Sequence, residues 1–188
     1  KLEVVYNGAD YKLFSPFANI VRSYDSRPLI GVALGEFEAK YQMLSSILSV
    51  ISRVSSIIPN IKLKIVGTLR VSMLSRYPRL RGKVKVVRTV SYSKLPLVMR
   101  DASFGIIGRP NTLPWKLSIP VKFFDYIACG LPVFAFGPPR SELQFFIERF
   151  DLGVYVPSND VNVLADKLVE FVKNLDSFDR KRILKVAK

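Results

Sequence analysis

The chain has 188 residues, 49% of them hydrophobic, and a net charge of +14, a composition that indicates one folded domain over residues 1–188 and excludes a disordered segment. It has no histidine and one cysteine, Cys129, which excludes histidine-dependent nucleophiles and proton shuttles, an internal disulfide and a cysteine zinc site. No apolar run reaches the ~20 residues that cross a bilayer and no signal-peptide pattern opens the chain, so we expect a cytoplasmic protein. Because the chain begins at Lys1, we also expect it to be part of a longer protein.

Short apolar runs alternate with stretches of helical spacing along the chain. After an opening strand and loop over residues 2–16, strands are predicted at 29–34, 61–66, 84–87, 104–107, 132–136 and 152–156. Helices are predicted at about 39–58, 69–76, 93–101, 118–129, 142–150 and from Asp160 onward, with a basic helical tail at 179–188. Strands that alternate with crossover helices build a parallel sheet, so the predicted fold is α/β, a Rossmann-like doubly wound parallel sheet of about six strands with helices on both faces.

Three loops of this sheet are candidates for a ligand site. Ligands of open α/β sheets bind beyond the carboxyl ends of the strands, near the switch in strand order. The first loop begins with Gly35, the second spans residues 108–117 and contains Arg109, and the third is Gly-Pro-Pro at 137–139. We expect the site to lie among these loops.

The second loop leads into the segment 118–132, which has the features of an anion-binding helix start. Ser118 is a favoured N-cap residue, and Pro120 suits the first turn, where its missing N–H is no loss. Free amides and the helix dipole favour a phosphate there, whereas the charge of Lys122 opposes the dipole by ~0.3–1 kcal/mol unless an anion offsets it.

Asp125 follows Lys122 by three residues and so shares its helical face. A carboxylate in this position can accept hydrogen bonds from the vicinal hydroxyls of a ribose. The other interpretation is a Lys–Asp pair on a solvated face, and the spacing alone favours that second interpretation.

The same segment carries a family resemblance. Residues 122–132, Lys-Phe-Phe-Asp-Tyr-Ile-Ala-Cys-Gly-Leu-Pro, resemble the K-x-x-E-Y-x-A-x-G-x-P-V segment of retaining glycosyltransferases of GT-B architecture, most closely the family 4 group, which uses nucleotide-sugar donors. Weaker matches occur in the same order at 5–16, 63–67, 95–103 and from 151 onward, so the resemblance covers almost the whole chain. It implies the C-terminal, donor-binding domain of a two-domain hexosyltransferase, whose N-terminal acceptor domain lies outside this sequence.

The resemblance also implies roles for individual residues. Asp125 takes the place of the second glutamate of the family's Glu-x7-Glu motif, which binds ribose hydroxyls of the donor. Lys122, Arg109 or both would neutralise the diphosphate, and the loop around Gly35 would pass close to the donor phosphate or sugar. Backbone groups at the helix start would bind the diphosphate, at Ser118, Ile119, Pro120 and Val121. The base pocket is expected near Thr89, Val90 and Leu95.

The chain departs from the family pattern at two places. The first glutamate of the motif falls at Leu117, so the carboxylate that contacts the donor sugar is missing. Of the basic residues that usually follow the first strand, Lys40 could supply one, and no arginine lies at the expected position. The catalytic residues, the donor sugar and its base, UDP or GDP, therefore stay open, and neither a metal nor a cofactor other than the donor is expected. Because acceptor recognition belongs to the other domain of such enzymes, we expect this chain alone to bind donor weakly and turn over little or nothing.

The basic residues are concentrated in one part of the chain. Residues 39–100 contain 13 basic residues and no acidic ones, whereas the remainder is nearly neutral. Such a surface indicates a polyanionic neighbour, although a charge run is often only a solvated face. We expect it to dock the enzyme peripherally on the inner, anionic face of a membrane, near a lipid-linked acceptor.

Two other functions fit parts of the pattern. A nucleic-acid-binding α/β domain would use the same basic residues, but the stacking aromatics it needs are reduced to Tyr77 and Tyr92 within residues 62–100. A sugar-nucleotide epimerase has a similar two-domain shape, and the lack of histidine and of acidic pairs disfavours it.

Overall fold

A computed structural model describes residues 6–17, 28–35, 43–69 and 71–188, and within them six strands form one parallel sheet. The strands are β1 (Leu29–Leu34), β2 (Ile61–Val66), β3 (Val84–Val87), β4 (Phe104–Gly108), β5 (Val133–Phe136) and β6 (Gly153–Val156). Their order is β3-β2-β1-β4-β5-β6, which is the order of a Rossmann fold. The predicted fold class is confirmed.

Eight α-helices lie in the described part of the chain. They are α1 (Tyr11–Phe14), α2 (Leu44–Val54), α3 (Leu95–Met99), α4 (Leu113–Lys116), α5 (Val121–Ala128), α6 (Glu142–Phe150), α7 (Val161–Lys173) and α8 (Arg180–Ala187). Short 3-10 helices occur at Ser15–Phe17, Val71–Arg76, Pro78–Leu80, Tyr92–Lys94 and Leu175–Ser177. Within these residues, none of the helices combines the length and the apolar character that a membrane span requires.

The sheet separates two hydrophobic cores. Helices α2 and α7 cover one face, where Leu48 and Leu168 are fully buried against strand residues such as Ile65. Helices α1, α5, α6 and α8 pack on the other face, around Phe123 and Ile147. Burial on both faces explains why the strands are short, nearly continuous apolar runs.

Several helix boundaries differ from the prediction. Helix α2 ends at Val54 rather than near Ile58, because the Ser55 hydroxyl donates to the carbonyl of Ser52 and competes with the helical backbone. The helix predicted at 69–76 is a 3-10 helix over Val71–Arg76. The predicted start of α2 and Lys40 lie outside the described residues. Asp160 caps α7 as predicted, since its carboxylate accepts from the amides of Asn162 and Val163.

The start of α5 was predicted wrongly, and the reason is local. Ser118 is not the N-cap: its hydroxyl donates to the carbonyl of Pro114 at 2.8 Å, which ties it to the preceding turn. Because a residue before proline is driven out of the helical region, Ile119 cannot begin a helix. Pro120 is itself the N-cap, with an extended ψ of 140°, and the helix begins at Val121.

Candidate functional site

The switch in strand order lies between β1 and β4, which are neighbours in the sheet although two strands intervene along the chain. Helix α5 begins at the same edge of the sheet, and the Lys122 ammonium in its first turn donates to the carbonyl of Leu34, the last residue of β1. The loop after β4 carries Arg109. The predicted loops therefore meet at the point where ligands bind in this class of fold.

Arg109 is a buried cation with unsatisfied donors. Arg109 is only 5% exposed, and among the described residues neither its Nε nor its Nη1 has a hydrogen-bond partner. The guanidinium lies over the ring of Trp115, 3.9 Å from its centroid, a cation–π contact that fixes its orientation. Burial lowers the pKa of Arg109 to about 10, and it stays charged at neutral pH.

Lys122 lies close enough to Arg109 for the two charges to repel. Burial is the main cause that lowers the pKa of Lys122 to about 7, the charge of Arg109 lowers it further, and Asp125 opposes both. A lysine with this pKa is about half protonated at pH 7. An anion bound beside it would restore its charge, because an opposite charge nearby favours the ionised form.

Asp125 lies on the same helix and is only 4% exposed, so the interpretation of a Lys–Asp pair on a solvated face is wrong for it. The hydroxyl of Tyr92 donates to its Oδ1 at 3.1 Å. Burial raises the pKa of Asp125 to about 6, while the hydrogen bond from Tyr92 and the charge of Lys122 lower it. The carboxylate is ionised above that pH and can accept hydrogen bonds from hydroxyl groups.

The start of α5 presents backbone amides, but these belong to residues later in the chain than predicted. The first residues of a helix have amides that no carbonyl of the helix itself accepts, and here the helix begins at Val121, with Pro120 rather than Ser118 as its N-cap. Ser118 and Ile119 lie in the connection before it, and Pro120 has no amide to offer. The helix start of this segment is thus two residues later than predicted.

A cavity of about 180 Å³ opens beside Gly35, and its walls include Thr89, Val90 and Leu95, the three residues predicted for a base pocket. The residues that follow β1 and β2, Gly35 and Gly67, approach each other closely at the wall of this cavity, and they have φ values of 146° and 137°. A Cβ on Gly67 would overlap the carbonyl oxygen of Gly35, so only glycine fits there. The structure therefore brings the predicted base-pocket residues together with the first loop.

The third loop and Leu117, which stands where the family has a glutamate, are the two remaining features predicted from the sequence. Gly137 packs against Arg109, and a Cβ there would lie 3.0 Å from the Cβ of Arg109. Leu117, at the position of the family's first glutamate, is 66% exposed and follows helix α4, which the sequence did not predict. It brings no charge to the site.

The sequence did not predict the roles of three residues at the site. Tyr92 was considered as a stacking aromatic for nucleic acid, whereas its hydroxyl donates to Asp125, and Trp115 was not singled out at all. Tyr126 is fully buried, and its hydroxyl accepts from the amide of Leu34 at 2.9 Å, which joins α5 to β1. Tyr126 directly follows the charged Asp125 in the sequence, and that neighbour was the available signal for it. The residues that Tyr92 and Trp115 contact are determined by the fold.

The same fold occurs in solved glycosyltransferases. WaaG, a glycosyltransferase involved in lipopolysaccharide biosynthesis, matches with a TM-score of 0.76 at 12% identity, over 98% of this chain and 51% of WaaG. HepE of Anabaena, solved in complex with UDP and glucose, matches with a TM-score of 0.73 at 13% identity, over 98% of this chain and 51% of HepE. Sucrose-phosphate synthase from Thermosynechococcus elongatus gives a TM-score of 0.66 at 20% identity, over 94% of this chain and 46% of the synthase.

No protein-family model and no curated protein sequence matches this chain. The chain spans about half the length of the structures it resembles, which are two-domain GT-B glycosyltransferases. At these identities the similarity shows the fold, and the resemblance predicted from residues 122–132 is confirmed at that level.

Proposed function

We propose that the chain is the donor-binding half of a two-domain glycosyltransferase, which transfers a sugar from a nucleoside diphosphate to an acceptor. The observation that carries this proposal is the buried Arg109 and the partly buried Lys122, with Asp125, at the switch point of the sheet. Buried charges in proteins are normally paired, and Arg109 has two donors without partners in the part of the chain that the structure describes. An anionic ligand would give these donors partners.

Each part of a nucleotide sugar has a candidate partner. The diphosphate would lie at the start of α5, against the amides of Val121 and Lys122 and the guanidinium of Arg109. Asp125 would accept hydrogen bonds from the ribose hydroxyls. The base would occupy the cavity beside Gly35, where Thr89, Val90 and Leu95 form the wall.

The chemistry of this half is electrostatic. When the bond between the sugar and the diphosphate breaks, negative charge develops on the leaving nucleoside diphosphate. Arg109 and the protonated Lys122 stabilise that charge, and because they are held by packing they need no rearrangement during the reaction. Acceptor binding would belong to the other half of the enzyme, so this chain alone is expected to bind donor weakly and to have little or no transferase activity.

Calorimetric titration of the chain with UDP and GDP tests the proposal. We expect saturable binding of at least one of them and a loss of about tenfold or more for Lys122→Met or Arg109→Met, the range of a hydrogen bond to a charged group. Lys181→Met, an exposed residue on α8, is the matched control and should bind normally. If neither nucleoside diphosphate binds saturably, the donor-domain function is excluded.

The acceptor is proposed to be lipid-linked, with the chain docked on an anionic membrane. Support comes from the exposed basic side chains around the edge strand β3, here called the basic edge: Lys62, Arg79, Arg81, Lys85 and Arg88. A basic residue near an anionic membrane surface contributes about 1 kcal/mol. No acidic residue lies between positions 39 and 100 to offset this attraction.

Sedimentation with vesicles distinguishes docking by the basic edge from an effect of net charge. We expect binding to phosphatidylserine-containing vesicles, not to phosphatidylcholine alone, and weaker binding after glutamine substitutions at Lys62, Lys85 and Arg88. The control removes three exposed lysines elsewhere, at Lys173, Lys181 and Lys185. Equal losses in the two triple variants would assign the binding to net charge and contradict docking by this edge.

A further inference from the structure

Tyr92 connects three segments of the chain at the candidate site. Its hydroxyl donates to Oδ1 of Asp125 at 3.1 Å and accepts from the amide of Asp10 at 3.3 Å. Its ring packs against Phe14, with the centroids 5.2 Å apart. A tyrosine hydroxyl has one proton to donate, and here that proton is directed to the carboxylate.

The direction of this hydrogen bond follows from the partner on the other side. The amide of Asp10 can only donate, so the Tyr92 oxygen must accept from it and direct its own proton to Asp125. Asp10 is held in turn, because its carboxylate caps α1 by accepting from the amide of Leu13. The orientation of Tyr92 is thus fixed before any ligand arrives.

We propose that Tyr92 is the positioning residue for Asp125: it holds the carboxylate through Oδ1 so that Oδ2 accepts from a ribose hydroxyl of the donor. This inference rests on the proposed donor-binding function and deepens it. A carboxylate free to rotate would lose side-chain entropy on binding the ribose, whereas a carboxylate already held by Tyr92 has lost it beforehand.

The electrostatics of the site agree with this role. Burial pushes Asp125 toward its neutral form, and both the hydrogen bond from Tyr92 and the charge of Lys122 favour the ionised form. Among the described residues, the other charged groups that act on the cluster are Arg109 after β4, which acts on Lys122, and Asp10, whose charge helps raise the pKa of Tyr92. Without the Tyr92 hydroxyl, the carboxylate would protonate at a higher pH.

The test compares UDP with 2′,3′-dideoxy-UDP, which lacks the ribose hydroxyls but keeps the base and the diphosphate. The affinity ratio of the two ligands isolates the ribose contribution, because the titrations of Lys122 and of the phosphate affect both ligands alike. Tyr92→Phe keeps the ring against Phe14 and removes only the hydroxyl. Tyr77→Phe is the matched control, since the Tyr77 hydroxyl donates to the carbonyl of Ser45 in a different part of the fold.

We expect Tyr92→Phe to lower the preference for UDP over the dideoxy ligand by about fivefold at pH 7, the size of one net hydrogen bond, while affinity for the dideoxy ligand is unchanged. We also expect the preference to fall away at a higher pH in Tyr92→Phe than in the unmodified chain, where it falls as pH drops through about 6. Tyr77→Phe should alter neither quantity.

Two results would overturn the inference: an equal loss of affinity for both ligands, which would give Tyr92 a general structural role, or an unchanged preference in Tyr92→Phe. Thermal unfolding of each variant checks that the fold is retained, which we expect because Tyr92 is 45% exposed and its ring is kept. If the unmodified chain binds UDP and the dideoxy ligand equally, the ribose role of Asp125 fails together with this inference. If it binds neither of these ligands and does not bind GDP, the proposed function itself is refuted.

Discussion

Binding of a nucleotide sugar is expected to take up a proton at Lys122. Burial, with a further contribution from Arg109, lowers the pKa of Lys122 to about 7. At pH 8 such a lysine is about one-tenth protonated, and a diphosphate beside it restores the charge, so uptake approaches ~0.9 proton per donor bound. Asp125, with a pKa of about 6, is ionised at pH 8 and contributes little.

Calorimetry in buffers of different ionisation enthalpy measures this uptake. UDP-glucose and GDP-mannose are suitable probes, because the diphosphate of a nucleotide sugar is esterified at both ends and has no proton to exchange near neutrality. The slope of the apparent binding enthalpy against the buffer's ionisation enthalpy gives the number of protons. Lys122→Arg is the matched control, since arginine is charged throughout and should bind donor without uptake. Saturable binding at pH 8 with a slope of zero would refute the assignment of Lys122 to the diphosphate.

Three further outcomes follow from the geometry. Lys122→Met should stabilise the free chain by roughly 1–3 kcal/mol at pH 7, measured by urea unfolding. Because the pKa of Lys122 is lower in the folded than in the unfolded chain, this gain in stability should be full below pH 7 and should vanish above the ordinary lysine pKa of about 10.4. A gain that does not depend on pH would contradict this cause. Gly67→Ala should cost about 3 kcal/mol or more, since its Cβ would overlap the carbonyl of Gly35, whereas Gly82→Ala, also at positive φ but with open space around it, should cost only about 1–2 kcal/mol. Arg109→Met should leave the unfolding midpoint unchanged or raise it while donor affinity falls, because Nε and Nη1 have no hydrogen-bond partner among the described residues. A large loss of stability would show that Arg109 is structural.

The sheet could be predicted from the sequence because its signals are local. Each strand of the sheet is a short, mainly apolar run bounded by glycine, proline or polar residues, and the six strands predicted from residue 29 onward agree with the structure to within one residue at each end. The opening strand predicted within residues 2–16 is not present in the described part of that segment, where residues 11–17 are helical. Burial on both faces makes that pattern strong, and the right-handed crossover rule then limits the order of the strands.

Helix boundaries were less predictable, since they depend on competing local interactions. Ser118 has the chemistry of an N-cap, but Pro120 prevents Ile119 from being helical and moves the start of α5 to Val121. Ser118 then bonds the carbonyl of Pro114 instead. The preference for serine at an N-cap was therefore outweighed by the steric effect of Pro120, two positions later.

Within the site, the cations and the carboxylate could be predicted to lie close together, whereas their surroundings could not. The topology alone brings Arg109 and Lys122 to one edge of the sheet. The spacing of Lys122 and Asp125 indicates a shared helical face but not whether that face is buried. The hydrogen bond from Tyr92 spans 33 positions of sequence, and no local pattern encodes it.

The composition of the site is better explained by binding than by folding. Methionine at position 122 would fill the same space without the desolvation that depresses the pKa of Lys122, and an apolar residue at 109 would leave no unsatisfied donors. Structural cations in proteins are usually paired, as Lys64 is with Asp101 in this chain. Among the described residues, Arg109 and Lys122 repel each other, and the carboxylate near Lys122 is one that burial pushes toward neutrality. We expect such an arrangement to lower the stability of the fold and to become favourable when an anion adds negative charge beside the two cations.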